Sequence, residues 1–175
     1  MSRPGDRRVV AGVSGSLGSL TALHRAAAEA RVTGATLRAV LAWEPPGGEM
    51  GHRGGLCPPP VSDWRQMAVE RLISALETAF GSTEPGVPLE CLVVLGKPGK
   101  VLLAAADQPD DLLVIGTGAR GRVRRALWPS VARYCVAHAC CPVLTVPPSP
   151  LHRVLDAVHR RNAWRIPLDA RELAD

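Results

Sequence analysis

The apolar positions fall into two kinds of run that alternate along the chain. Arg8 to Val13 is short, apolar and rich in β-branched residues, as expected of a buried strand. Leu20, Leu23, Ala27 and Ala30 then recur at helical spacing within Leu17 to Arg31. Ser14 or Ser16 can cap that helix, because a hydroxyl accepts from a free N–H of the first turn, and Gly34 can end it. Thr36 to Trp43 reads as a second strand. A Pro/Gly-rich loop follows from Glu44 to Val61. A second helix starts at Ser62 or Asp63, with Trp64, Ala68, Leu72, Ala75, Leu76 and Ala79 on its inner face. Pro88 to Leu95 is a third strand, Pro98 to Ala106 a short helix, and Asp111 to Ile115 a fourth strand. Gly116 to Arg125 is a glycine- and arginine-rich loop. Ser130 to Ala139 is a last helix and Pro142 to Val146 a fifth strand.

Strands alternating with helices predict an α/β fold: a small doubly wound, five-stranded parallel sheet of order 3-2-1-4-5 with helices on both faces. Ligands of such sheets bind beyond the carboxyl ends of the strands, where the strand order reverses. That singles out the loops after the first strand (14–16) and the fourth strand (116–125). The pattern divides the chain into a domain over residues 1–150 and a C-terminal extension over 151–175. In the extension Leu151, Val154, Leu155 and Val158 are helically spaced, and Trp164 suggests docking onto the domain or a partner.

Composition narrows the picture. At 175 residues and 46% hydrophobic content the chain can bury a core without staples. No apolar run approaches the roughly 18–20 residues that span a bilayer, so no membrane segment is expected. The first residues hold no signal-like apolar stretch, which predicts a cytoplasmic protein. Five cysteines (Cys57, Cys91, Cys135, Cys140, Cys141) have no framework spacing and read as reduced thiols. Cys135, His138, Cys140 and Cys141 crowd together, but adjacent cysteines entering a strand fit packing better than zinc. His138 and Ser130 lie about 12 Å apart along one helix, too far for a nucleophile and its base.

Charge changes the picture more. The net charge is +5, and Arg120, Arg122, Arg124, Arg125 and Arg133 lie between Gly116 and Tyr134 with no acid among them. A localised excess points to a local anion. Six aromatics in total leave few stacking platforms, so nucleic acid is not the expected partner.

The residues Val9-Val-Ala-Gly-Val-Ser14-Gly15-Ser16 and Ala39-Val-Leu-Ala-Trp43-Glu-Pro45 resemble the opening of a universal stress protein domain. So does Asp111-Leu-Leu-Val-Ile-Gly116-Thr-Gly-Ala-Arg-Gly121, continuing to Pro129-Ser130 and Cys141-Pro-Val-Leu-Thr-Val146. The resemblance runs over roughly residues 7–148, and actinobacterial members read much like this chain. ATP-binding members of that family carry Gly-x2-Gly-x9-Gly-Ser/Thr in the fourth-strand loop. This chain has Gly116-x2-Ala119-x9-Pro129-Ser130 instead, and Ser14 stands where the family's first strand ends in aspartate. Ala119 adds a methyl, and Pro129 removes an N–H donor. The resemblance implies a non-enzymatic stress-response or signalling protein. It implies a homodimer through the last strand, with any protein partner unidentified. ATP is the implied ligand, with Mg²⁺ only in its company. The implied site is Ser14, Ala42, Gly116, Ala119, Gly121, Arg122, Ser130 and Val131. A nucleotide-free dimeric interaction module is the alternative, in which Trp128 would fill the emptied loop.

Overall fold

The computed structural model describes residues 7–44, 61–117 and 130–147. Its elements are β1 (Arg8–Gly12), α1 (Leu17–Thr33), β2 (Thr36–Trp43), α2 (Val61–Phe80) and β3 (Leu89–Leu95). α3 (Pro98–Ala105), β4 (Leu112–Gly116), α4 (Val131–His138) and β5 (Val143–Val146) follow. The five strands form one sheet of order β3-β2-β1-β4-β5, and every pairing is parallel. The expected fold class and strand order are those found. The loop between β2 and α2 and the extension over 151–175 lie outside the described residues, as does Cys57.

Alternation along the strands sorts the core into two layers. Val9, Ala11, Leu37, Ala39, Leu41 and Val114 pack under α1 and α2 with Leu23, Leu72 and Leu76. Val10, Val40, Leu113 and Ile115 face the other way, under α3 and α4 with Leu102 and Cys135. The inner face of α2 holds Ala68, Leu72, Ala75, Leu76 and Ala79 as expected, while Trp64 is only half-buried. β3 and β5 are the edges, with one strand neighbour each. No helix among the described residues is long and apolar enough to cross a membrane.

Several boundaries shift by a residue or two, and two of the shifts have identifiable reasons. α1 runs to Thr33 rather than Arg31. Gly34 adopts a left-handed φ of 65° there, and the Gly34 and Ala35 N–H groups both donate to the Ala30 carbonyl. That is a Schellman closure, in which a residue without Cβ is favoured. β4 begins at Leu112 because Asp111 closes a turn, its N–H donating to the Gln108 carbonyl (3.1 Å). Its carboxylate, 1% exposed, accepts from Arg8 Nε (2.9 Å), Arg8 Nη2 (2.6 Å) and the Gln108 N–H (3.1 Å). Arg8 Nη2 also reaches Asp107 at 2.6 Å. A fork of N–H donors matched to one carboxylate ties the start of β1 to the start of β4. Arg38 does the same for β2 and β3, bonding Glu90 at 2.7 Å and donating to the Ala105 carbonyl at the end of α3 (3.0 Å).

The pairing lowers the affinity of Asp107 for a proton, chiefly through the Arg8 hydrogen bond. Its contribution is therefore complete above the ordinary aspartate range and is lost as pH falls through its lowered folded value. Arg8→Met leaves Asp111 buried without its cation. It should lower unfolding stability by about 3–5 kcal/mol in urea titrations. Asp111→Asn, which removes the buried charge itself, should cost less.

Candidate functional site

The register places three of the expected site residues within one residue of the same level. β1 pairs Gly12 with Val40 on one side and Ala11 with Val114 on the other. Counting on, Ala42, Ser14 and Gly116 stand near the carboxyl ends of β2, β1 and β4. These surround the point where the strand order reverses. Ala42 is half-buried and pairs with Val94, and the Gly96 N–H donates to the Trp43 carbonyl (2.9 Å) to hold β2 and β3 together there. Ser130 and Val131 start α4, which packs on the α3 side of the sheet. Ala119, Gly121 and Arg122 lie outside the described residues, with Pro129, Trp128 and the neighbouring arginines.

The loop after β1 is built from serines. Ser14 and Ser16 are exposed, and their hydroxyl oxygens are 2.9 Å apart. Ser16 is the N-cap of α1, its hydroxyl accepting from the Ser19 N–H (3.3 Å). Ser19 is buried. Its hydroxyl accepts from the Ser14 N–H (3.2 Å) and donates to the Ser16 carbonyl (2.8 Å). The loop is thus closed on itself by Ser19, which the sequence reading passed over. Its signal was a third serine in the first turn. Gly15 sits between with φ 75°, a left-handed conformation that side chains disfavour. The first turn of α1 contains no acid, so nothing offsets the partial positive charge of its N–H groups.

Gly116 has a physical reason to be glycine. A Cβ there would lie 2.3 Å from the Gly18 carbonyl oxygen and 2.6 Å from its carbon. The end of β4 therefore rests directly on the backbone of α1's first turn. Beyond it, Thr117 donates to the Val146 carbonyl through its N–H (2.8 Å) and its hydroxyl (3.3 Å), holding β4 to β5. Ser130 caps α4, accepting from the Arg133 N–H at 3.1 Å, and that first turn also lacks acid. His138 Nδ1 lies 2.8 Å from the Tyr134 carbonyl and its ring stacks on Tyr134. Both groups are engaged within their own helix.

Arg71 is the other residue that the sequence reading missed. It belongs to α2, yet its Cγ and Cδ come within 3.5 and 3.7 Å of where a Gly15 Cβ would be. It is exposed and has no hydrogen bond or ion pair among the described residues.

The thiols follow packing. Cys135 is fully buried, its sulfur 3.9 Å from the Gly99 carbonyl, and burial pushes its thiol up to about 11. Cys140 and Cys141 both approach the Ala106 carbonyl, at 3.7 and 3.8 Å, and burial raises the Cys141 thiol too. A thiol so held stays protonated at neutral pH and is a poor metal ligand.

Gly116→Ala should destabilise the protein by about 1–3 kcal/mol in urea titrations, because backbone rather than a flexible side chain must give way. Gly34→Ala meets no atom and strains only the left-handed backbone, so it should cost about 1 kcal/mol, toward the lower end of that range.

The model of the Universal stress protein family matches residues 6–147. A Thermus aquaticus protein named universal stress protein in QAH/OAS sulfhydrylase 3′ region is 35% identical over 123 residues, 69% of this chain and 84% of its own. A universal stress protein solved in complex with cAMP is 27% identical, with a TM-score of 0.53, over 82% of this chain and 98% of that one. The Lactobacillus plantarum universal stress protein is 19% identical with a TM-score of 0.55, over 80% and 97%, and shares the fold. Family match, relative and architecture agree: the chain belongs to the universal stress protein family.

Proposed function

We propose that this protein is a non-enzymatic, cytoplasmic stress-response or signalling module. It binds an adenine nucleotide where β1, β2 and β4 end. The observation that carries the reading is the convergence of Ser14, Ala42 and Gly116 at the reversal point, beside a helix start free of acid. Backbone groups around Ala42 would receive the adenine. The hydroxyls of Ser14 and Ser16 and the N–H groups opening α1 and α4 are donors suited to phosphate oxygens. Ser130 and Val131 would contribute through the start of α4. Gly116, Ala119, Gly121 and Arg122 would contribute through the loop between them. The 27% identical family member solved with cAMP supports the ligand class. Mg²⁺ would come with ATP, held by its phosphates, since hydroxyls and amides are weak ligands for it.

The alternative, a nucleotide-free interaction module, draws on the loss of two loop glycines at Ala119 and Pro129. Isothermal titration of nucleotide-stripped protein with ATP and Mg²⁺ separates the two. Micromolar binding, weakened in the double variant Arg122→Ala, Arg124→Ala, is the expected result. Absence of heat at millimolar ATP would leave the interaction module.

Homodimerisation through β5 belongs to the same proposal. Leu113 and Thr117 donate to the Pro142 and Val146 carbonyls, so alternate residues of β5 are used by β4. Val143 and Thr145 then present their backbone groups to the open edge, a ready pairing surface. Thr145→Pro removes an outward N–H and leaves the β4 pairing intact. Light scattering should show a dimer for the parent protein and a shift toward monomer for this variant.

A further inference from the structure

Arg71 supplies a charge that neither the fold nor the core needs. Its Cγ and Cδ lie 3.5 and 3.7 Å from where a Cβ on Gly15, the turn between the two exposed serines, would stand, and its guanidinium follows directly on Cδ. Nothing among the described residues neutralises it. Its neighbour Glu70 accepts a hydrogen bond from Gln66 (3.0 Å), one turn away on the same helix. This differs from the arginines at the opposite end of the sheet. Arg8 and Arg38 are each matched to carboxylates at 2.6–2.7 Å. Arginine's planar fork is suited to phosphate, and a cation packed by its stem against a loop loses less freedom on binding than a free one.

We infer that Arg71 is the charge-reading residue of the nucleotide site, making the protein select adenine nucleotides with a di- or triphosphate over monophosphates and neutral nucleosides. The inference rests on the nucleotide reading above and names the part of the ligand that α2 contacts. The physical argument is one of sign. The β1 loop ends in neutral Ser14, so a cation beside it meets no carboxylate. Its field then acts on the ligand, and each added phosphate charge should strengthen the attraction.

The experiment is isothermal titration of the stripped full-length protein with adenosine, AMP, ADP and ATP, each at low and moderate salt. Parent protein, Arg71→Gln and Arg71→Lys are compared. Glutamine keeps polarity and most of the stem, so thermal unfolding of the variant should match that of the parent. The expected result is affinity rising from adenosine to ATP in the parent. Arg71→Gln should lose about tenfold for ATP and less than twofold for adenosine, with a shallower salt dependence. Arg71→Lys should recover much of the loss. Equal losses for adenosine and ATP, or no loss for ATP, would overturn the assignment while leaving nucleotide binding in place. A parent protein that binds none of the four would overturn the nucleotide reading and this inference with it.

Discussion

The contact on which the carboxyl end of the sheet depends is backbone against backbone. Gly116 closes β4 and touches the carbonyl of Gly18 in the first turn of α1, with no room for a methyl group between them. Because that approach is so close, the loop after β1 and the chain leaving β4 are set side by side. The helix start opens onto the reversal point of the sheet. The same contact limits what a retained glycine signifies. In a phosphate-binding loop a glycine can be kept to let a ligand approach, but here it is needed to let two parts of the protein approach. The weight of the nucleotide reading therefore falls on the serine loop, the two acid-free helix starts and the family's architecture.

Most of the fold was legible because each signal was local. β-branched runs marked the strands, 3.6-residue periodicity marked α1 and α2, and Ser16, Gly34 and Ser130 marked helix ends where caps are found. Even the strand order followed from the alternation and the resemblance together. The displaced boundaries had causes that the apolar pattern does not carry. Asp111 reads as the first residue of a strand, but its N–H closes a turn to Gln108, and its carboxylate is held by Arg8, over a hundred positions earlier.

The site was legible only as far as it is made of loops. Ser14 and Gly116 could be found by counting to the ends of strands and Ala42 by the family resemblance, and the register brings the three within one residue of the same level. Ser19 and Arg71 could not. Both lie inside helices, where periodicity assigns a residue either to the core or to solvent. Ser19 was masked by its helix, and Arg71 by its place beside Leu72, a member of a well-formed apolar stripe. What connects Arg71 to Gly15 is the way α2 lies over the mouth of β1, and no spacing in the chain records that.

The two ends of the sheet differ in how they treat charge, and this bears on function more than any single residue. Around the amino ends the cations within the strands are satisfied, Arg8 by Asp107 and Asp111 and Arg38 by Glu90 and the carbonyl ending α3, while Arg7, ahead of β1, has no such partner among the described residues. Around the carboxyl ends, Arg71 and both lysines of the chain, Lys97 and Lys100 at the start of α3, have no such partner among the described residues. Glu44, Asp63 and Glu70 are also near this end, so it is not uniformly basic. An ion pair at the amino end adds rigidity and leaves nothing to recognise. An unpaired cation at the mouth costs little while solvated and becomes useful only when an anion arrives. That division of charge is what a parallel sheet needs if one end is to hold the fold and the other is to meet a ligand.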